Sequence, residues 1–132
     1  MNEQFQNNIN WADKTILIAE DEQINFFILS EILRRTGSTI IHAPDGQVAV
    51  DYCRSNPEIN IILMDIKMPI MNGFTATNII KSFRPDIPII AQTAYTNEKS
   101  NILANGFDDF LSKPIKRELL LCVIEKFFKT TD

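Results

Sequence analysis

Ile59-Asn60-Ile61-Ile62-Leu63-Met64, followed at once by Asp65, is the stretch that decides the fold. A continuous apolar run rich in β-branched residues fits a strand buried on both faces, as in a parallel sheet. Two similar runs precede it, Thr15-Ile16-Leu17-Ile18-Ala19 and Thr39-Ile40-Ile41. Two follow it, Ile87-Pro88-Ile89-Ile90-Ala91 and the weaker Phe107 to Leu111. Parallel strands need crossovers, and the segments between these runs have helical character.

The first helical segment covers about Gln23 to Thr36, with Ile28, Leu29, Ile32 and Leu33 at helical spacing and Gly37 as its stop. The second follows Asp45-Gly46, with Asp45 as N-cap. The third starts at Asn72-Gly73 and sets Ala76, Ile79, Ile80 and Phe83 on one stripe. The fourth begins near Thr96 and ends at Gly106. The fifth runs from about Arg117 to Lys129, with Leu120, Val123, Ile124 and Phe127 on its apolar face. A second stripe on this helix, Leu121, Glu125 and Phe128, contacts a partner or is covered by neighbouring structure. Alternation of this kind predicts a three-layer α/β sandwich.

The chain has 132 residues, enough for one domain and too few for two cores. With 45% apolar and 23% charged residues it is an ordinary globular composition. Thirteen basic against 17 acidic residues give a net charge of −4, with no dense cationic stripe. That argues against a nucleic-acid surface. No apolar run approaches the ~20 residues of a membrane span, so no membrane contact is expected of this domain. Residues 1–13, rich in Asn and Gln, read as a flexible leader or linker remnant with Trp11 folding back, and residues 14–132 as the domain. Cys53 and Cys122 lie in helical patterns outside any CxxC motif and read as reduced, buried thiols. No export signal opens the chain, and with the thiols this sets a cytoplasmic expectation. His42, the single histidine, reads as a structural residue of the second strand, away from any site.

An open parallel sheet binds ligands beyond the carboxyl ends of its strands. There the first run ends in Glu20-Asp21, the third in Asp65, the fourth in Thr93 and the fifth near Lys113-Pro114. Three carboxylates, one hydroxyl and one ammonium therefore converge on one sheet edge. At ~4 Å and an effective dielectric near 20, each carboxylate pair costs about 4 kcal/mol, unless a cation occupies the site. Oxygen ligands without His or Cys favour Mg²⁺, which recruits phosphate as a further ligand. Lys113 pairs with Asp65 in the free state and with phosphoryl oxygens afterwards. Asp65, ending the most apolar run, is best placed to be a nucleophile that forms an acyl phosphate.

These segments resemble the response-regulator receiver domains of two-component phosphorelay signalling. The resemblance rests on Leu17-Ile18-Ala19-Glu20-Asp21-Glu22, Met64-Asp65-Ile66-Lys67-Met68-Pro69, Ala91-Gln92-Thr93-Ala94 and Gly106-Phe107-Asp108-Asp109-Phe110-Leu111-Ser112-Lys113-Pro114. It covers about Lys14 to Lys129. It implies a (βα)5 doubly wound, five-stranded parallel sheet in the order 2-1-3-4-5. It also implies that Asp65 is the phosphoacceptor, that Glu20, Asp21, Asp65 and the Lys67 carbonyl hold Mg²⁺, and that Lys113 and Thr93 are catalytic. Thr93 and Phe110 would form the switch, Lys67 and Tyr95 would tune dephosphorylation, and the Lys113–Pro114 bond would be cis. The partner implied is a histidine kinase or histidine phosphotransfer domain. The surface of the fourth helix, fifth strand and fifth helix would change on phosphorylation, with a homodimer through it as a further expectation.

The Asn25 and Gln92-Thr93-Ala94-Tyr95-Thr96 stretches are most similar to receivers of hybrid sensor histidine kinases. A stand-alone regulator starting at Met1 and a non-phosphorylated pseudo-receiver that only binds proteins are the alternatives. A haloacid-dehalogenase-type phosphatase would want an acid at Lys67, and a P-loop enzyme would want GxxxxGK[ST], which is absent. A flavodoxin-like cofactor binder would share the fold without needing the three acids and Lys113.

Overall fold

The computed structural model describes residues 9–94 and 99–130. Five strands, β1 (Thr15–Ala19), β2 (Thr39–Ala43), β3 (Ile61–Asp65), β4 (Ile89–Thr93) and β5 (Asp109–Ser112), form one sheet in the order β2-β1-β3-β4-β5. All four pairings are parallel. Between them run α1 (Gln23–Arg34), α2 (Gly46–Ser55), α3 (Gly73–Phe83), α4 (Lys99–Ala104) and, last, α5 (Arg117–Thr130). This is the three-layer, doubly wound architecture expected from the alternation of runs. β1, β3 and β4 are buried along their whole length, as continuous apolar runs require.

The sheet divides the interior in two. Leu17, Ile62, Met64, Ile89 and Ala91 project toward α2, α3 and α4. Ile16, Ile18, Leu63, Ile90 and Leu111 project toward α1 and α5. β3 and β4 start two residues later than the apolar runs and take in Asp65 and Thr93. At β3 the reason is a polar latch: Asn60 donates to the Thr15 carbonyl at 2.9 Å and its Oδ1 accepts from the Thr15 N–H at 2.7 Å. β2 runs on to Ala43, and β5 begins at Asp109, with Phe107 buried in the core just ahead of it. The expected start of the fourth helix near Thr96 lies outside the described residues.

Capping follows the sequence. Asp45 accepts from Val48 N–H and Asn72 from Thr75 N–H, each at 2.9 Å. Gly37, at φ +85°, closes α1. Gly73 brings the start of α3 against the end of β3: a Cβ there would meet the Asp65 carbonyl oxygen at 2.2 Å. Glycine is therefore what lets the loop after Asp65 fold tightly over the sheet edge.

Two sequence expectations are corrected, those for Ile28 and Cys122, and two readings are borne out. On α1 the buried residues are Leu29 and Leu33, and Ile28 turns outward, 47% exposed, beside Ile24 and Phe27. On α5, Leu121 and Phe128 are buried, and Trp11 packs edge-to-face on Phe128 at 5.1 Å, so of the two readings of this stripe, cover by neighbouring structure is the one that holds. Trp11 folds back as expected: it is buried, and its backbone N–H donates to the Thr36 carbonyl at 2.7 Å. Cys122 is only half-buried; neither cysteine forms a disulfide, and burial pushes the Cys53 thiol up to about 11. No helix among the described residues is long and apolar enough to cross a membrane.

Candidate functional site

Parallel strands end on one side of a sheet, so the residues after β1, β3, β4 and β5 meet at one edge. Glu20, Asp21 and Asp65 each offer a carboxylate oxygen, all within 4.8 Å of one another. Glu20 is fully buried, Asp65 is 5% exposed and Asp21 is exposed. The Lys113 ammonium lies 3.2 Å from Asp65 Oδ1 and 3.7 Å from Glu20 Oε1. The Lys113–Pro114 bond is cis, and the Lys113 N–H donates to the Thr93 carbonyl at 2.7 Å. A cavity of about 230 Å³ opens above the group, lined by Glu22, Asn25, Asp65, Ile66, Lys67, Gln92, Thr93, Ala94 and Lys113.

The charges in the pocket do not balance. Burial raises the Glu20 carboxyl from 4.5 to about 7, and the neighbouring Asp65 charge adds to this, outweighing Lys113 and the Glu22 N–H. Burial alone would lower the Lys113 ammonium, yet Asp65 and Glu20 hold it above its usual value. Glu20 Oε2 accepts from the Glu22 N–H at 3.2 Å, while buried Oε1 has no hydrogen-bond partner. Three hard oxygen donors, one of them buried with an unmet acceptor, fit a divalent cation of the magnesium kind.

The other expected residues are placed as follows. Thr93 is buried at the end of β4 and lines the cavity. Lys67 is exposed and also lines it. Phe110 is half-buried against the α2–α4 side of the core, with the Lys99 ammonium 5.7 Å from its ring centroid. Tyr95 lies outside the described residues.

His42 is a structural residue of β2, as expected, but it lies nearer the site than expected. Its Nε2 is 2.8 Å from the Glu20 carbonyl oxygen, and its ring stacks on Phe26 at 3.8 Å. β2 is longer than its apolar run, which carries His42 up beside the end of β1. The pattern of runs held no signal for this. Gln92 was likewise missed: it lies in register with Asp65 and is almost wholly buried.

Comparison with known proteins agrees with this geometry. The model of the response regulator receiver domain matches residues 16–125. The chain belongs to the receiver domain family. The hybrid signal transduction protein dokA of Dictyostelium discoideum is 38% identical over 122 residues, which cover 90% of this chain and 7% of dokA. The receiver thus spans a small fraction of the length of the curated relatives it matches. Among solved structures, the receiver domain of sensor histidine kinase PA1611 from Pseudomonas aeruginosa PAO1, with magnesium coordinated in its active site cleft, is 31% identical with a TM-score of 0.79. The match covers 86% of this chain and 96% of that one. A co-crystal structure of the Saccharomyces cerevisiae histidine phosphotransfer protein Ypd1 with the receiver domain of Ssk1 matches at 29% identity and TM-score 0.76. It covers 82% and 83% of the two chains.

Proposed function

We propose that this receiver takes a phosphoryl group from a phosphohistidine onto Asp65. An Asp65 carboxylate oxygen attacks phosphorus in line with the P–N bond. The new P–O bond forms as the P–N bond breaks, and the imidazole leaves with the bonding pair. Lys113, now 3.2 Å from Asp65, follows the charge onto the phosphoryl oxygens. Glu20, Asp21 and Asp65, with the Lys67 carbonyl, would hold Mg²⁺, which would supply positive charge against those oxygens when bound. The acidic group within 4.8 Å, with Lys113 against Asp65, is the observation that carries this reading.

Thr93, lining the same cavity, donates its hydroxyl to the phosphoryl group, and Phe110 turns with it. The change passes to the α4-β5-α5 surface, where Leu103 and Leu119 are exposed and a second copy would dock. Lys67 and Tyr95 tune the approach of the hydrolytic water.

The donor is a histidine kinase or histidine phosphotransfer domain. Ile24, Phe27 and Ile28, at 75, 61 and 47% exposure, form an apolar face on α1. Asn25 of the same helix lines the Asp65 cavity, so a helix docked on this face would bring its histidine to Asp65. The hybrid kinases among the relatives favour placing the receiver within a hybrid sensor histidine kinase.

The test is phosphorylation by a small phosphodonor with Mg²⁺. Wild type should be labelled, and Asp65→Asn should lose the label at least a hundredfold while keeping its fold. Persistent labelling of the variant would refute Asp65 as acceptor.

A further inference from the structure

Gln92 is an unusual residue for its place. It pairs in register with Asp65 on one side and Leu111 on the other. Facing residues of a parallel ladder project the same way. Gln92 therefore shares the α1/α5 face with Asp65, and Lys113, two residues beyond Leu111, returns to that face. Ile90, two residues earlier in β4, fills its position with apolar core. Gln92 is 1% exposed, yet neither its Oε1 nor its Nε2 has a hydrogen-bond partner among the described residues. Leaving both ends of a buried amide unpaired is costly, and an apolar side chain of equal size would avoid it.

The amide lies in a partition. It lines the main cavity with Asp65 and Lys113. It also lines a second hollow of about 100 Å³, walled by Leu29, Pro114 and Ile115, and again Asn25 and Lys113. That volume has room for water. A lysine ammonium has three N–H donors. Lys113 directs itself at Asp65 and, less closely, at Glu20. When Asp65 becomes an acyl phosphate its oxygens cease to be a full carboxylate, and the ammonium must re-aim.

We infer that once the site is loaded and the Lys113 ammonium re-aims, the Gln92 carboxamide oxygen, directly or through a water in the second hollow, becomes an acceptor for it and so orients it toward the phosphoryl oxygens. Gln92 is thus a positioning residue that acts through Lys113. This rests on the phosphoacceptor reading above.

The test uses the full chain, with beryllofluoride in saturating Mg²⁺ as the probe for the loaded site. Gln92→Met keeps the volume and removes both polar atoms. It should melt at or above the wild-type temperature, yet bind beryllofluoride about tenfold more weakly, the loss of one charge-assisted hydrogen bond. Affinity for Mg²⁺ alone should not move. In a Lys113→Ala background the same substitution should change beryllofluoride affinity less than twofold. If Gln92→Met packs badly, Gln92→Leu is read in the same way. Unchanged beryllofluoride affinity in a folded variant, or an undiminished tenfold loss without Lys113, overturns the inference. Failure of wild type to bind beryllofluoride would instead overturn the phosphoacceptor reading.

Discussion

The two ends of the sheet carry similar numbers of charged groups and treat them in opposite ways. At the end where β3 and β4 begin, Arg84 donates to the carbonyls of Cys53, Asn56, Pro57 and Ile59 at 2.7–3.4 Å. Lys81 bonds the Ile87 carbonyl and Asp108 at 2.7 and 2.8 Å, and Asp108 also takes the Ile89 N–H. The cations there are matched to neutral carbonyls and an acid. At the opposite end three acids crowd one lysine, and Glu20 and Gln92 keep unmet polar atoms. One end is built for stability, and the other holds an excess of negative charge that a bound divalent cation would relieve.

Glu20 offers the largest test of that contrast. Its carboxyl is raised to about 7 in the fold, against 4.5 ordinarily. Between these values the folded state holds a proton that the unfolded chain has lost. Stability from this group is full below pH 4.5 and is lost as pH rises through 7, by about 3 kcal/mol. Denaturant titrations without divalent cation should show this fall. Mg²⁺ should reduce it, and Glu20→Gln should flatten it while weakening Mg²⁺ binding. A pH-independent wild type would erase the asymmetry.

Arg84→Ala probes the other end. Four carbonyls lose a charged donor, and unfolding free energy should drop by about 2 kcal/mol. Labelling by a small phosphodonor should stay within twofold of wild type. A variant equally stable, or one that loses labelling while folded, would show that the two ends are not separable in this way.

The smallest effects belong to the helix caps. Asn72→Ala and Asp45→Ala should each cost about 1 kcal/mol by denaturant titration. Asn72 sits in the loop that follows Asp65, and Asp45 caps α2 from the loop after β2. Asn72→Ala should therefore also lower the labelling rate slightly, and Asp45→Ala should not.

The charge-rich end was largely legible in the sequence. Glu20, Asp21, Asp65, Thr93 and Lys113 each stand at or just after an apolar run, and a parallel sheet has to gather such residues on one edge. The stabilising end was not legible. Arg84 bonds main-chain carbonyls 25 to 31 residues away, and no side-chain pattern marks an acceptor of that kind. His42 read correctly as structural, but its partner was hidden for a related reason: it is the backbone of Glu20, reached because β2 extends past its apolar run. On α1, Ile28 matched helical spacing as well as Leu29 did. Only the rotation of the helix over the sheet decided which of them is covered, and that depends on packing rather than on period.

The central claim is that the imbalance around Asp65 exists to accept a phosphoryl group there. Its most direct test is to treat the protein with Mg²⁺ and a small phosphodonor, reduce the acyl phosphate with borohydride, and locate the altered residue by peptide mass spectrometry. Homoserine is expected at Asp65 and at no other aspartate, and none when Mg²⁺ is chelated. Modification mapped to a different side chain, or an unmodified Asp65 in the presence of Mg²⁺, would contradict it.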